Sequence, residues 1–156
     1  MKLLLPQATS SFNTLFKEMI DLGLAESFLD TAFNSYDLNN LDEVIIILLK
    51  DNKVDKFFFE YLENSEFIKR HTIITLHKET SGSICTSLMA IPNLIGKPVI
   101  ISALDQMLEN AIDHTKYIEN RSDFDIIVPI YKSADKTLCY ILKDDDENII
   151  QLFETK

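Results

Sequence analysis

Two kinds of apolar pattern alternate along this chain. Short, nearly unbroken runs rich in β-branched residues occur at 2–5, 43–49, 72–76 and 98–104. Such runs predict strands buried on both faces, because helices covering a parallel sheet leave few polar positions. Between them, 10–35, 53–69 and 82–95 read as helical. In the second of these, Val54, Phe57, Phe58, Tyr61, Leu62 and Phe67 recur close to a 3.6-residue period, and Asp51 and Asn52 stand before it as caps. The order β-α-β-α, with right-handed crossovers, predicts a mostly parallel sheet between two helical layers. After Asp105 the pattern changes to a helix-like piece reaching about Ile118. Beyond it come three strands, at 125–132, 137–142 and 149–153. The turn Lys143-Asp144-Asp145-Asp146-Glu147-Asn148 predicts that the last two form a hairpin. No repeat or Pro/Gly/Ser linker interrupts the 156 residues, so a single domain over 1–156 is expected.

Composition narrows the class. The formal net charge of −10 argues against nucleic acid or an anionic membrane as the main partner. A single nucleotide stays compatible with it, since bound Mg²⁺ and local donors can hold a triphosphate in an acidic protein. No run approaches the roughly 18 apolar residues of a membrane span. The opening Met1-Lys2-Leu3-Leu4-Leu5-Pro6 is too short for the apolar core of a signal peptide, so a first strand in a cytoplasmic protein is expected. Cys85 and Cys139 are the two cysteines, and with no His or Cys at ligand spacing they predict reduced core residues. His71, His77 and His114 do not pair at metal-ligand spacing, and the acidic turn at 144–147 lacks the spacing and glycine of an EF-hand.

Two segments carry candidate chemistry. Thr80-Ser81-Gly82-Ser83-Ile84-Cys85-Thr86-Ser87 comes after one predicted strand and opens a helix. Its small and hydroxyl residues leave backbone N–H groups able to accept a phosphate or the polar edge of a base; equally, they serve as an ordinary N-cap with a glycine for close packing. Lys97-Pro98-Val99-Ile100-Ile101-Ser102-Ala103-Leu104-Asp105-Gln106 is a strand that delivers a carboxylate at its end. Open α/β sheets bind ligands at the carboxyl ends of their strands. Asp105 therefore reads either as a Mg²⁺ ligand or as the N-cap of the next helical segment.

Taken together, these segments resemble the sugar-phosphate nucleotidyltransferases, especially the capsule and surface-polysaccharide branch. The middle motif of that branch reads like T-x-G-A-x-C-T-A-L-x-A-I, then K/D-P-L-I-I-x-N-x-D-Q. Residues 80–91 and 97–106 match it in register over about 27 residues. Asp123-Phe124-Asp125-Ile126-Ile127-Val128-Pro129-Ile130-Tyr131-Lys132-Ser133 is similar to the D-x-D-G-G-I-x-x-F-K-S strand, and Leu138 to Lys156 to the next hairpin. The resemblance implies a Rossmann-like, three-layer α/β/α nucleotidyltransferase (GT-A-like) fold. It also implies transfer of a nucleotidyl group from an NTP to a sugar 1-phosphate or similar small phosphate. It places Gly82, Ser83, Thr86 and Gln106 near the nucleotide, Asp105 on Mg²⁺, and Glu154 and Lys156 on the sugar phosphate. The chain departs from the family after the first strand. There Pro6-Gln7-Ala8-Thr9-Ser10-Ser11-Phe12-Asn13 has neither the glycines nor the arginine of the triphosphate loop, and Lys17 is the nearest cation for the catalytic role. Ile126 and Ile127 stand where the family has paired glycines, and Glu154-Thr155 where it has E-K. These departures keep a second expectation open: a catalytically silent relative that binds nucleotide, a protein partner or a second copy of itself.

Overall fold

The computed structural model describes residues 1–66, 68–105, 140–145 and 149–153. Contacts divide the chain into two units, Met1–Ser122 and Asp123–Lys156. The first holds strands β1 (Lys2–Gln7), β2 (Glu43–Leu49), β3 (His71–Leu76) and β4 (Val99–Ile101). Among its described residues the helices are α1 (Ser10–Asp21), α2 (Ala25–Phe33), α3 (Asn52–Asn64), α4 (Ser83–Leu88) and α5 (Ile91–Leu94), with a 3-10 turn at Leu38–Asn40. All pairings among the four strands are parallel, in the order β3-β2-β1-β4.

Alternation along β1 and β2 divides the core between two faces. Leu3, Leu5, Val44, Ile46 and Leu48 point to the face covered by α1, α2 and α3, where they meet Phe16, Leu29, Phe33, Val54, Phe58 and Leu62. Leu4, Ile45 and Ile47 point the other way, against Ala90 and the half-buried Leu94 around α4 and α5. These faces result from topology. The steps β1→β2 and β2→β3 move the same way across the sheet, whereas β3→β4 moves back past β1. With one crossover hand, the return has to run over the opposite face. An α/β protein with a parallel four-stranded sheet between helices is the result. No helix among the described residues is long and apolar enough to cross a membrane.

Local chemistry sets the boundaries. β1 runs two residues beyond its predicted end, through Pro6. The Lys2 amide donates to the Pro98 carbonyl and the Leu4 carbonyl accepts from Ser102, so even-numbered β1 residues face β4. The missing N–H of Pro6 falls on that side, just past the last β1–β4 pair, Leu4↔Ile101. β4 is correspondingly short, ending at Ile101 rather than 104. The expected helix over 10–35 is two helices, because Gly23 takes φ +70 and the Gly23 and Leu24 amides close the end of α1 on Ile20 and Met19. The segment 82–95 likewise divides into α4 and α5 around Met89 and Ala90.

In the second unit the expected hairpin is present as antiparallel strands β5 (Tyr140–Lys143) and β6 (Ile149–Phe153), with an irregularity between Leu142 and Lys143. The strand expected at 125–132 and the helix after Asp105 lie outside the described residues, as do His114, Cys139 and the start of the strand expected at 137–142.

Candidate functional site

In a parallel sheet every strand releases its chain at the same edge. Here that edge gathers Ala8 and Thr9 after β1, Lys50 and Asp51 after β2, His77 to Gly82 after β3, and Ser102 to Asp105 after β4. The order β3-β2-β1-β4 reverses direction between β1 and β4, the place where open α/β sheets form a crevice.

On the β1 side, Thr9 takes an extended conformation and its hydroxyl accepts the Phe12 amide at 3.2 Å, capping α1. The next free amide, that of Ser10, donates to the Glu79 carboxylate. The Ser10 side chain first, and this bond second, hold the Glu79 carboxyl below its ordinary range. An anion thus already sits at the positive end of α1. Beneath it, Asn13 donates from Nδ2 to the Leu49 carbonyl at 2.8 Å, tying α1 to the end of β2. Gln7 Nε2 and Asn13 Oδ1 are buried there without a hydrogen-bond partner among the described residues.

Lys17, the cation expected to serve catalysis, forms an ion pair with Asp51 at 2.9 Å. Asp51 also caps α3, accepting the Lys53 and Val54 amides at 3.0 and 3.2 Å. The Lys17 ammonium is the main reason the Asp51 carboxyl is lowered. The pair therefore fastens α1 to the start of α3.

On the β4 side, the Tyr36 hydroxyl donates to Ser102 Oγ at 2.7 Å. Burial raises the Tyr36 phenol, the Ser102 hydrogen bond opposes this, and the charge of Asp105 adds to the rise. Asp105 is exposed, whereas the adjacent Leu104 is wholly buried and anchors the turn.

The 80–87 segment is tied to itself. Thr80 Oγ1 donates to the Gly82 carbonyl at 2.9 Å and lies 2.6 Å from Thr86 Oγ1, which also reaches the Gly82 carbonyl at 3.2 Å. Thr86 is buried, and Ser87 Oγ donates to the Ser83 carbonyl at 2.8 Å. Cys85 is a free, half-buried thiol whose sulfur accepts from Ser81 Oγ. Gly82, at φ +147, and Ser83 are exposed at the head of α4. The structure thus puts Gly82, Ser83 and Asp105 on one edge, and gives Thr86 and Lys17 partners inside the protein. Gln106, Glu154 and Lys156 lie outside the described residues.

Among the described residues no three His, Cys, Asp or Glu side chains come together as a metal cage. Asp105 is a single exposed carboxylate, so a Mg²⁺ held there would need its other ligands from a bound molecule and water.

Sequence reasoning named Asp51 as a cap but missed its pairing with Lys17, and it missed Tyr36, Glu79 and the role of Ser102. Glu79 adjoins the Thr80 motif and was open to notice as an acid in a loop after a strand. Tyr36 and Ser102 are 66 residues apart, and no local signal joins them. No family model, curated protein or solved structure matches the chain. What the fold defines is the class: an α/β protein with a four-stranded parallel sheet, helices, and polar loops at the carboxyl edge of the sheet.

Proposed function

We propose that this chain is a nucleotidyltransferase-like domain that takes a nucleoside triphosphate at the carboxyl edge of its sheet. The reading relates it to enzymes that move a nucleotidyl group from an NTP to a sugar 1-phosphate or similar small phosphate in surface-polysaccharide biosynthesis, in the cytoplasm. In that reaction an acceptor phosphate oxygen bonds to the α-phosphorus while the α–β bridging P–O bond breaks and pyrophosphate leaves. The observation that carries the reading is the shared edge: the Gly82–Ser83 turn after β3 and Asp105 after β4 both emerge at the carboxyl ends of a sheet ordered β3-β2-β1-β4. Gly82 and Ser83 would meet the base or a phosphate through backbone N–H groups, with Gln106 and the Thr86 hydroxyl supporting them. Asp105 would hold Mg²⁺, which supplies charge neutralisation on the phosphates when bound. Lys17 would offset charge on the transferring group, and Glu154 and Lys156 would hold the acceptor.

One feature favours the silent relative as the description of chemistry. Lys17 is paired with Asp51, and the Ser10 amide is taken by Glu79, so the stretch that would grip a triphosphate is engaged within the protein. Such a relative would keep the crevice for nucleotide, or act through a protein partner or a second copy of itself.

The test is a thermal-shift titration with ATP, CTP, GTP, UTP and dTTP, each with and without Mg²⁺. A ligand bound only by the native state stabilises it by RT ln(1 + [L]/Kd), so millimolar nucleotide exposes even a weak site. A Mg²⁺-dependent shift with one base, lost in Asp105→Asn, supports the transferase reading. No shift with any nucleotide overturns it.

A further inference from the structure

The two edges of the parallel sheet are built differently. β4 is three residues long and directly follows Lys97 and Pro98, two residue types that guard sheet edges. β3, at the other edge, keeps an unbroken register with β2 and contains no Pro, Lys or Arg. The Arg70 and Leu76 carbonyls accept from the Val44 and Lys50 amides, so the even-numbered residues of β3 face β2. The N–H and C=O groups of His71, Ile73 and Thr75 therefore point outward, and among the described residues no strand pairs with them. α3 overhangs this edge. The Phe59 ring stands nearly perpendicular to that of His71 with centroids 6.5 Å apart, and Glu63 lies 3.6 Å from His71 Nε2. Phe59 is nevertheless 55% exposed. Lys56 lies on the same flank one turn before Phe59, as Glu63 does one turn after it.

We infer that this edge joins a second copy of the chain, β3 against β3 in antiparallel order about a two-fold axis at Ile73. The outward groups are symmetric about that residue. Ile73 exchanges both hydrogen bonds with Ile73 of the partner subunit, and His71 does the same with the partner's Thr75. Every outward N–H and C=O of β3 is then satisfied, whereas a shifted register leaves at least one residue outside the pairing. The same axis sets the overhanging flanks of α3 antiparallel. Lys56 then approaches the partner's Glu63, with Phe59 and the partner's Phe59 between the charges. This is what selects a second copy over an unrelated strand: the flank carries both signs around an apolar centre, in an order that a two-fold axis matches to itself. Within its own chain Lys56 meets Glu60 at 3.6 Å on an exposed surface, a pair too weak to hold it. Exposed Lys69 and Arg70 before the strand, and Lys78 after it, confine the pairing to β3, because extending the ladder would set cation against cation. The inference does not rest on the nucleotide reading, since β3 lies two strands from β1 and the switch point beside it.

Sedimentation velocity of the whole chain, from about 1 to 200 μM at 150 mM salt, tests it. The expected result is a reversible monomer–dimer equilibrium. Phe59→Asp, at an exposed position, should weaken the dimer about tenfold. Thr75→Pro removes an outward N–H and spares the bonds to β2, and should also weaken it about tenfold. Lys56→Glu should weaken it about three- to fivefold, and adding Glu63→Lys should restore the parent's affinity. Circular dichroism checks that each variant keeps the parent's helix and strand content. A monomer throughout the range overturns the inference, as does a dimer unchanged in Phe59→Asp and Thr75→Pro. So do a charge exchange that fails to restore dimerisation and association that continues beyond the dimer.

Discussion

If Lys17 is a tie between helices rather than a free cation, replacing Asp51 should separate two contributions cleanly. Asp51 accepts two backbone amides at the start of α3 and one ammonium from α1. Removing a capping carboxylate costs about 1–2 kcal/mol. A partly exposed ion pair, with side chains 41% and 21% exposed, adds about 0.2–1 kcal/mol. Asp51→Ala should therefore cost about 2 kcal/mol and lower the urea midpoint by roughly 1 M. Asp51→Asn caps as well as Asp and should cost only the ion-pair share, and Lys17→Met in that background should cost nothing more. The direction of the shift sets the sign with pH. The folded Asp51 carboxyl is lowered, chiefly by Lys17, so its advantage over Asn is complete above the unfolded value of about 3.9 and is lost as pH falls through the lower folded value. Urea unfolding of parent and variants between pH 7 and pH 3 reads all of this. An Asn variant as unstable as the Ala variant, or a parent–Asn gap that persists unchanged at pH 3, would refute the assignment and make Lys17 a free cation again.

Two further substitutions probe the crevice. Glu79→Gln removes the charge that sits on the Ser10 amide, so Mg²⁺–nucleotide or inorganic phosphate should bind about two- to fivefold more tightly by calorimetry; unchanged or weaker binding would show that Glu79 does not compete for that helix end. Gly82→Ala meets no atom within 4 Å, yet it must hold a Cβ at φ +147, a conformation costing about 1–3 kcal/mol. A melting temperature equal to the parent's would show that the turn relaxes to another conformation.

How much of this was legible depended on whether the cause was local. β2 was readable because Val44 to Leu48 are buried on both faces and leave no polar break to misplace its ends. α3 was readable at its start because Asp51 caps it one residue before the first turn; its end came five residues early, since Ser65 is extended although the apolar pattern continues to Ile68. Pro6 hid the end of β1, because a proline reads as a strand stop unless the neighbouring strand is known to end first. The break at Gly23 was hidden in the opposite way: α1 and α2 both face the same core, so the apolar period runs through the turn. Nothing in a linear pattern reports that Tyr36 reaches Ser102 or that Lys17 reaches Asp51, since those pairings arise from the order of the strands.

The same pairings constrain what the carboxyl edge can do. Lys17 is matched with Asp51, the Ser10 amide with Glu79, Tyr36 with Ser102, and Thr80 with Thr86. A ligand entering the crevice exchanges with these contacts rather than filling vacant ones, and each exchange returns only the difference between two hydrogen bonds of similar strength. Binding at this edge therefore has to draw on groups not already engaged. Those include the N–H groups at the exposed Gly82 and Ser83, the exposed carboxylate of Asp105, and the exposed side chains of Lys50, His77 and Lys78. Buried donor and acceptor atoms on Gln7 and Asn13 add to them only if a ligand reaches beneath α1. In the nucleotide reading proposed above, a triphosphate would bring about four negative charges to an edge that holds Asp51, Glu79 and Asp105 beside Lys17, Lys50 and Lys78. Three lysines against three carboxylates leave those phosphates uncompensated, so that reading requires binding to depend on Mg²⁺.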